Sequence, residues 1–132
     1  MAGPSKVPDH LRYTEDHEWV EVHGSRAKIG ITDYAQEALT DVVYVELPDV
    51  GDEFGHHDSM GVVESVKSVN DVFAPLAGKV VEANAALDDE PELMNHDPYG
   101  KGWFCVIEVA DKDALSKLMD AAAYRKFLET AH

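Results

Sequence analysis

Ser59-Met60-Gly61-Val62-Val63-Glu64-Ser65-Val66-Lys67-Ser68-Val69-Asn70-Asp71-Val72-Phe73-Ala74 is the stretch that decides the fold. Residues 59–64 and 70–74 are strand-like runs, and 65–69 lie between them, so the segment reads as a hairpin with Lys67 at its bend. A lysine at a hairpin tip holds its ammonium away from the core on a flexible four-carbon stem. A modifying enzyme can reach it, and the stem is free to swing. Exposed hairpin lysines are ordinarily solubilising, so the bend alone does not mark a modification site.

Working outward, the same punctuation recurs. Pro75-Leu76-Ala77-Gly78 is a turn followed by a strand over Lys79–Ala83. Upstream, Trp19–Val22 and Ala27–Ile31 flank His23-Gly24-Ser25 as a second hairpin. Thr32 or Asp33 then caps a short helix to about Leu39, with Tyr34, Ala38 and Leu39 facing inward. Val43, Val45 and Leu47 alternate with Val42, Tyr44 and Glu46, which predicts a strand ending at Pro48, with Asp49–Asp52 as its turn. Asp88–Asn95 reads as a loop in which Pro91 opens one helical turn. Asp97–Gly100 turns the chain into a strand that puts Trp103, Cys105, Ile107 and Val109 on one face. From Asp111 the period becomes helical: Leu115, Leu118, Met119 and Ala122 share a face, Phe127 and Leu128 follow, and a break falls near Asp120. Pro-x-x-Gly closes a strand at Pro48–Gly51 and again at Pro75–Gly78, an echo that suits two halves of a sandwich of short strands.

Composition narrows the function classes. The 132 residues fit one domain: residues 11–132, after a flexible tail over 1–10 in which Met1–Ser5 carries no structural weight. Eleven basic residues against 26 acidic ones leave a net charge of −15, a field that repels phosphate backbones and anionic lipid, so neither nucleic acid nor membrane is an expected partner. Apolar residues at 45% are enough for a core. No apolar stretch reaches bilayer length, and the first ten residues resemble neither a signal peptide nor a transit peptide. A single cysteine, Cys105, excludes a disulfide scaffold and suits a reducing compartment.

Glu64-Ser65-Val66-Lys67-Ser68 and Asp71–Asn84 closely resemble the lipoyl-attachment hairpin of the glycine cleavage system H proteins. The resemblance runs in register from about Tyr13 to Leu128, through Tyr13–Val20, Ile29–Gln36, Val45–Pro48, Glu92–Asn95 and Asp97–Trp103. It implies a mainly β fold: a barrel-sandwich hybrid, the lipoyl-domain-like β-sandwich, with short helices and a C-terminal helical segment. It implies that Lys67 carries lipoate in amide linkage and that Glu64 helps the lipoylating enzyme, a lipoyl or octanoyl transferase or a lipoate ligase, to recognise the site. It implies a carrier with no catalysis of its own. The arm would take the aminomethyl group of glycine from the pyridoxal-phosphate glycine decarboxylase (P protein) and pass it to the tetrahydrofolate-dependent aminomethyltransferase (T protein). Dihydrolipoamide dehydrogenase (L protein) would then reoxidise it. A cytoplasmic monomer in a bacterium is expected, or a matrix protein if the chain is a processed mitochondrial form.

An aminomethyl thioether is labile in water, so the loaded arm needs an apolar cleft and a carboxylate for its ammonium. By family position those acids are Glu18 and Asp71, although most of the 26 acids must simply face solvent. Some family members have a histidine where this chain has Ala38; any contact it makes with the arm is lacking here. His56-His57-Asp58 is not read as a metal site, because adjacent strand histidines point to opposite faces and no further ligands are suitably spaced. Cys105 reads as a buried inert thiol, and Asp88-Asp89-Glu90 as a solvated acidic loop. Biotin carriers flank their lysine with methionines, whereas Lys67 lies between Val66 and Ser68. Two other readings stay open: an H-like protein relaying lipoyl groups to other enzymes, and an unmodified interaction module with Lys67 a free amine.

Overall fold

The computed structural model describes residues 5–130. Nine strands form two antiparallel sheets. The larger has the order β1 (Arg12–Tyr13), β2 (Glu18–His23), β3 (Arg26–Ile31), β9 (Cys105–Val109), β8 (Gly78–Ala83), β5 (Glu53–Phe54). The smaller has β6 (Ser59–Ser65) at its centre, between β4 (Val42–Glu46) and β7 (Val69–Phe73). Val20, Ile29, Val80 and Ile107 of the larger sheet and Val45, Val63 and Val72 of the smaller one belong to one continuous apolar core. This is the expected β-sandwich with short helices.

The hairpins fall where turn chemistry puts them. β2 and β3 pair from Glu18↔Ile31 to His23↔Arg26, leaving Gly24-Ser25 as the turn, with Gly24 at φ +62°. Helix α1 spans Asp33–Leu39, and Thr32 caps it by accepting the Ala35 N–H at 3.2 Å. Ala38, expected to face inward, is exposed; Leu39 is buried.

Several expectations are corrected. In β4 a register shift between Val42 and Tyr44 breaks the alternation, so Val42 and Val45 are buried while Val43 and Tyr44 are exposed. Asp88–Asn95 is less of a loop than expected: α2 (Ala86–Asp89) and α3 (Leu93–His96) flank Pro91. Asp88, Asp89 and Glu90 are nonetheless exposed. The last strand begins at Cys105, and Trp103 leaves the Cys105–Ile107–Val109 face to pack beside Trp19 and Tyr99 in a second cluster. His56 and His57 sit in the turn between β5 and β6, not in a strand. The two prolines of the Pro-x-x-Gly echo follow β4 and β7, the outer strands of one sheet, but the glycines differ: Gly51 is left-handed at φ +99°, whereas Gly78 lies in β8.

The C-terminal segment breaks as expected near Asp120, but its first piece is a 3-10 helix over Lys112–Lys117. Met119 then pairs with Tyr13, the two backbones exchanging N–H to O bonds of 2.8 and 2.9 Å. Helix α4 (Ala121–Thr130) buries Ala121 and Tyr124, while Ala122 is exposed, because the break resets the helical phase. Tyr124 stacks on Tyr13 with centroids 4.5 Å apart, in a cluster with Leu11 and Trp19. Lys6, Val7 and Pro8 lie against the fold: the Lys6 N–H donates to Asp33 at 2.8 Å, and Arg125 donates to the Val7 carbonyl at 2.7 Å. Met1–Pro4 lie outside the described residues.

Candidate functional site

The β6–β7 hairpin is closed by its own backbone and one serine. Glu64 pairs with Val69, and the turn is Val66-Lys67-Ser68. The Ser65 N–H donates to the Ser68 carbonyl at 2.8 Å. Ser65 Oγ accepts the N–H groups of Lys67 and Ser68 at 3.3 and 3.1 Å. The Val66 N–H donates to the Asp41 carbonyl at 3.1 Å, tethering the turn to the residue before β4. Lys67 is exposed, and its ammonium has no partner among the described residues. Val66 and Val69 beside it are 66% and 65% exposed. Glu64 is half-buried and stands between Tyr44 and Val69 on adjacent strands, by the registers Tyr44↔Glu64 and Glu64↔Val69.

The strand that leaves this turn borders a cleft of about 500 Å³, with Ser68–Phe73 forming one side. Ile31, Ala35, Leu39, Val63 and Val72 make it apolar. Glu18 and Asp71 both line it, as does Ala38. Glu18 is 3% exposed. Its Oε1 accepts from the Thr14 hydroxyl at 2.7 Å and its Oε2 from the Phe73 N–H at 3.2 Å. Those bonds favour the carboxylate, but burial outweighs them and pushes the Glu18 pKa up to about 7. Asp71 is exposed and accepts from the Ser59 hydroxyl at 2.9 Å. The two acids thus differ in kind: one is buried and poised near neutrality, the other is solvated.

Asp16 and His17 complete the rim. His17 Nδ1 lies 2.8 Å from the Tyr124 hydroxyl, which is also 2.8 Å from Thr32 Oγ1, so α4 is bonded to the segment that carries Glu18. Burial lowers the His17 pKa. Elsewhere, Cys105 is fully buried and its thiol is pushed up to about 12, so it is a poor nucleophile. No cluster of metal-ligating side chains exists among the described residues. His57 Nε2 lies 2.8 Å from Asp16 Oδ2.

An exposed, unpaired lysine on a tight turn, next to an apolar cleft with a buried carboxyl, has the attributes of a swinging-arm carrier. Comparison with known proteins agrees. The family model of the glycine cleavage H-protein matches residues 11–131. The chain belongs to this family. It is 55% identical to the glycine cleavage system H protein of Anaeromyxobacter sp. (strain K) over 124 residues, 94% of this chain and 97% of that one. Against the H protein of Carboxydothermus hydrogenoformans it is 50% identical over 125 residues, 95% and 96% of the two chains. The crystal structure of the H protein from Mycobacterium marinum superposes with a TM-score of 0.82 at 37% identity, covering 95% of this chain and 98% of that one. As an H protein, this chain is a non-catalytic lipoyl carrier that works with the other components of the glycine cleavage system, and the family carries lipoate on a lysine. No helix among the described residues is long and apolar enough to cross a membrane.

The residues present fit that group: an accessible amine stands at the turn, and the cleft beside it offers aliphatic walls and a carboxyl at depth. Sequence reasoning missed three parts of the site. Thr14 was within reach, since it lies four residues before Glu18 in a stretch already singled out. Tyr34, expected to face inward, lines the cleft. The Phe73 N–H had no signal, because a backbone donor looks the same in every residue.

Proposed function

We propose that Lys67 is the lysine that bears the lipoyl group, that Glu64 is read by the lipoyl or octanoyl transferase or lipoate ligase that attaches it, and that Glu18 and Asp71 serve the cleft into which the arm folds. When bound, the lipoyl group supplies the sulfur that carries the aminomethyl group of glycine. The observation that carries the reading is the free Lys67 ammonium on a turn whose outgoing strand borders a cleft holding the buried Glu18. The turn gives reach: three residues outside the β-ladder present the amine, while the Ser65 bonds keep their backbone fixed. The cleft gives protection: its aliphatic walls exclude water, and an ionised Glu18 pairs with an ammonium at depth more strongly than a surface acid would. Asp71 at the mouth supplies a solvated negative charge that draws the ammonium inward.

The partners proposed are the glycine decarboxylase, the aminomethyltransferase and dihydrolipoamide dehydrogenase, each met transiently by a monomer in the bacterial cytoplasm. A net charge of −15 suits brief docking to basic rims around three active sites. The test is intact-mass spectrometry after incubation with lipoate, ATP and a lipoate ligase. One lipoyl adduct is expected, lost in Lys67→Arg; an adduct surviving that substitution would overturn the assignment. Glycine–bicarbonate exchange with added decarboxylase then tests the shuttle, and lipoylated protein that fails to support exchange would favour a lipoyl relay.

A further inference from the structure

Glu18 borders two cavities. The arm cleft is one; the other, of about 270 Å³, is lined by Thr14, Asp16, His56, His57 and Lys117 as well as Glu18. Asp16 also borders both. His57 touches two residues of the arm cleft at once. Its Nε2 lies 2.8 Å from Asp16 Oδ2, and its ring stacks on Phe73 with centroids 4.6 Å apart and planes 3° off parallel. Asp16 belongs to the loop between β1 and β2, whereas Phe73 ends β7, so one imidazole joins two elements that no β-ladder connects.

The turn is built to put that ring there. The His57 N–H donates to the Ala74 carbonyl at 2.8 Å, and the Ala74 N–H donates to the Asp58 carbonyl at 2.8 Å, locking residues 57–58 onto the residue after Phe73. The Gly55 N–H donates to the Asp58 carboxylate at 2.7 Å. His57 itself sits at φ +72°, a left-handed conformation that glycine adopts freely and a histidine adopts at a cost. The backbone would be easier with glycine, yet this chain carries an imidazole there, bonded on one side and stacked on the other. The consequence reaches Glu18 through Phe73, whose N–H is one of the carboxyl group's two hydrogen-bond donors. β7 is an edge strand, paired only with β6, so nothing else in the sheets holds Phe73 toward β2.

We propose that His57 is a positioning residue of the arm cleft: by bonding Asp16 and bracing Phe73, it keeps the Phe73 N–H on Glu18 and the cleft walls closed against water. The protective consequence rests on the reading that the loaded arm occupies this cleft; the bracing of Phe73 does not. Water entering the cleft hydrolyses the aminomethyl adduct to free thiol, formaldehyde and ammonium, with no change in oxidation state, so formaldehyde release reports protection directly. The contact contributes little to global stability, because the His57 and Asp16 side chains are 58% and 35% exposed. Removing it costs about as much as relieving the left-handed backbone returns.

His57→Gly is therefore the discriminating variant. Its Tm is expected to stay unchanged or to rise slightly. In the unlipoylated protein, hydrogen-exchange protection of the Phe73 amide is expected to fall about threefold or more. In lipoylated, aminomethyl-loaded protein, formaldehyde release is expected to quicken by a similar factor, and by less when Asp16→Ala is already present. Unchanged Phe73 protection overturns the proposal, and so does a large fall in Tm, which would mark His57 as merely structural. Glu18→Gln separates the two ideas. If it leaves formaldehyde release unaltered while His57→Gly still loosens Phe73, the cleft reading fails and the brace stands. If Glu18→Gln accelerates release and His57→Gly does not, the cleft reading stands and the protective role of His57 is lost.

Discussion

The Phe73 backbone N–H, at the end of an edge strand, donates to Glu18 Oε2 across 3.2 Å, and joins the last residue of β7 to the first of β2. Together with the Thr14 hydroxyl it supplies two donors to a buried carboxyl, yet burial still lifts that group to about 7. A neutral Glu18 is easily housed beside the aliphatic walls of the cleft; an ionised one favours a cation as neighbour.

The stability of the chain should record that ionisation. Glu18 is raised from 4.5 to about 7, so the folded state holds its proton more tightly than the unfolded state. That contribution is fully present below pH 4.5 and is lost as pH rises through about 7. Relative to the parent, Glu18→Gln should gain about 3 kcal/mol between pH 4 and pH 8, measured by urea unfolding. His17 runs the other way: its lowered pKa makes the fold less stable as pH falls below the ordinary 6.5. The His17 contribution is present in both proteins, so the difference between them reports Glu18 alone. A constant difference between the two proteins across this range would refute the buried, raised carboxyl.

The presentation of Lys67 depends on Ser65. Its single oxygen accepts the N–H groups of both Lys67 and Ser68, so Ser65→Ala releases the turn while leaving the core alone. The lost bonds are worth about 0.5–1 kcal/mol locally, which corresponds to lipoylation slowing by about two- to fivefold. Ligase kinetics on the variant, with Tm measured beside them, would show the effect; a large Tm change with normal kinetics would contradict it.

Much of this architecture was legible because two periodicities and a few turn residues carry it. Val62, Val63 and Val72 on either side of Ser65–Ser68 announce a hairpin, and Gly24 announces another. The resemblance then supplied Lys67, Glu18 and Asp71, and the fold brings the two acids to one cleft. What stayed hidden is local or backbone-borne. The shift between Val42 and Tyr44 has no residue signature, and the 3-10 piece over Lys112–Lys117 mimics an α-helical period for just long enough to misplace Ala122. The role of His57 has no local signal, because its partners, Asp16 and Phe73, lie 41 and 16 positions away in sequence.

Gly30 shows the same limit in the larger sheet. It stands directly opposite Trp19, and a Cβ on it would meet the indole at 2.5 Å. Trp19 is fully buried, with its Nε1–H donating to the Pro98 carbonyl at 2.9 Å, so the ring has no easy retreat. Gly30→Ala should destabilise the fold by about 2 kcal/mol, lowering Tm by roughly 7 °C. A thermal melt giving parental stability would mean that the indole is less tightly held than the packing indicates.

One hydroxyl of α4 bonds the rim of the cleft, beside the packing of Phe127 on His17. Tyr124 bonds His17, at the rim of the cleft, and Thr32, the cap of α1, both at 2.8 Å. Tyr124→Phe preserves the ring that stacks on Tyr13 and removes only these two bonds, leaving the buried Thr32 hydroxyl with the Ala35 N–H alone. A loss of about 1–2 kcal/mol is expected in urea unfolding, as for a buried polar group deprived of its hydrogen bond. Because His17 directly precedes Glu18, the same variant should raise hydrogen exchange at the amides of Thr32 and Glu18 more than at Val63 or Val80 in the main core. Uniform acceleration across all four amides would instead indicate that α4 stabilises the whole fold and has no particular hold on the cleft.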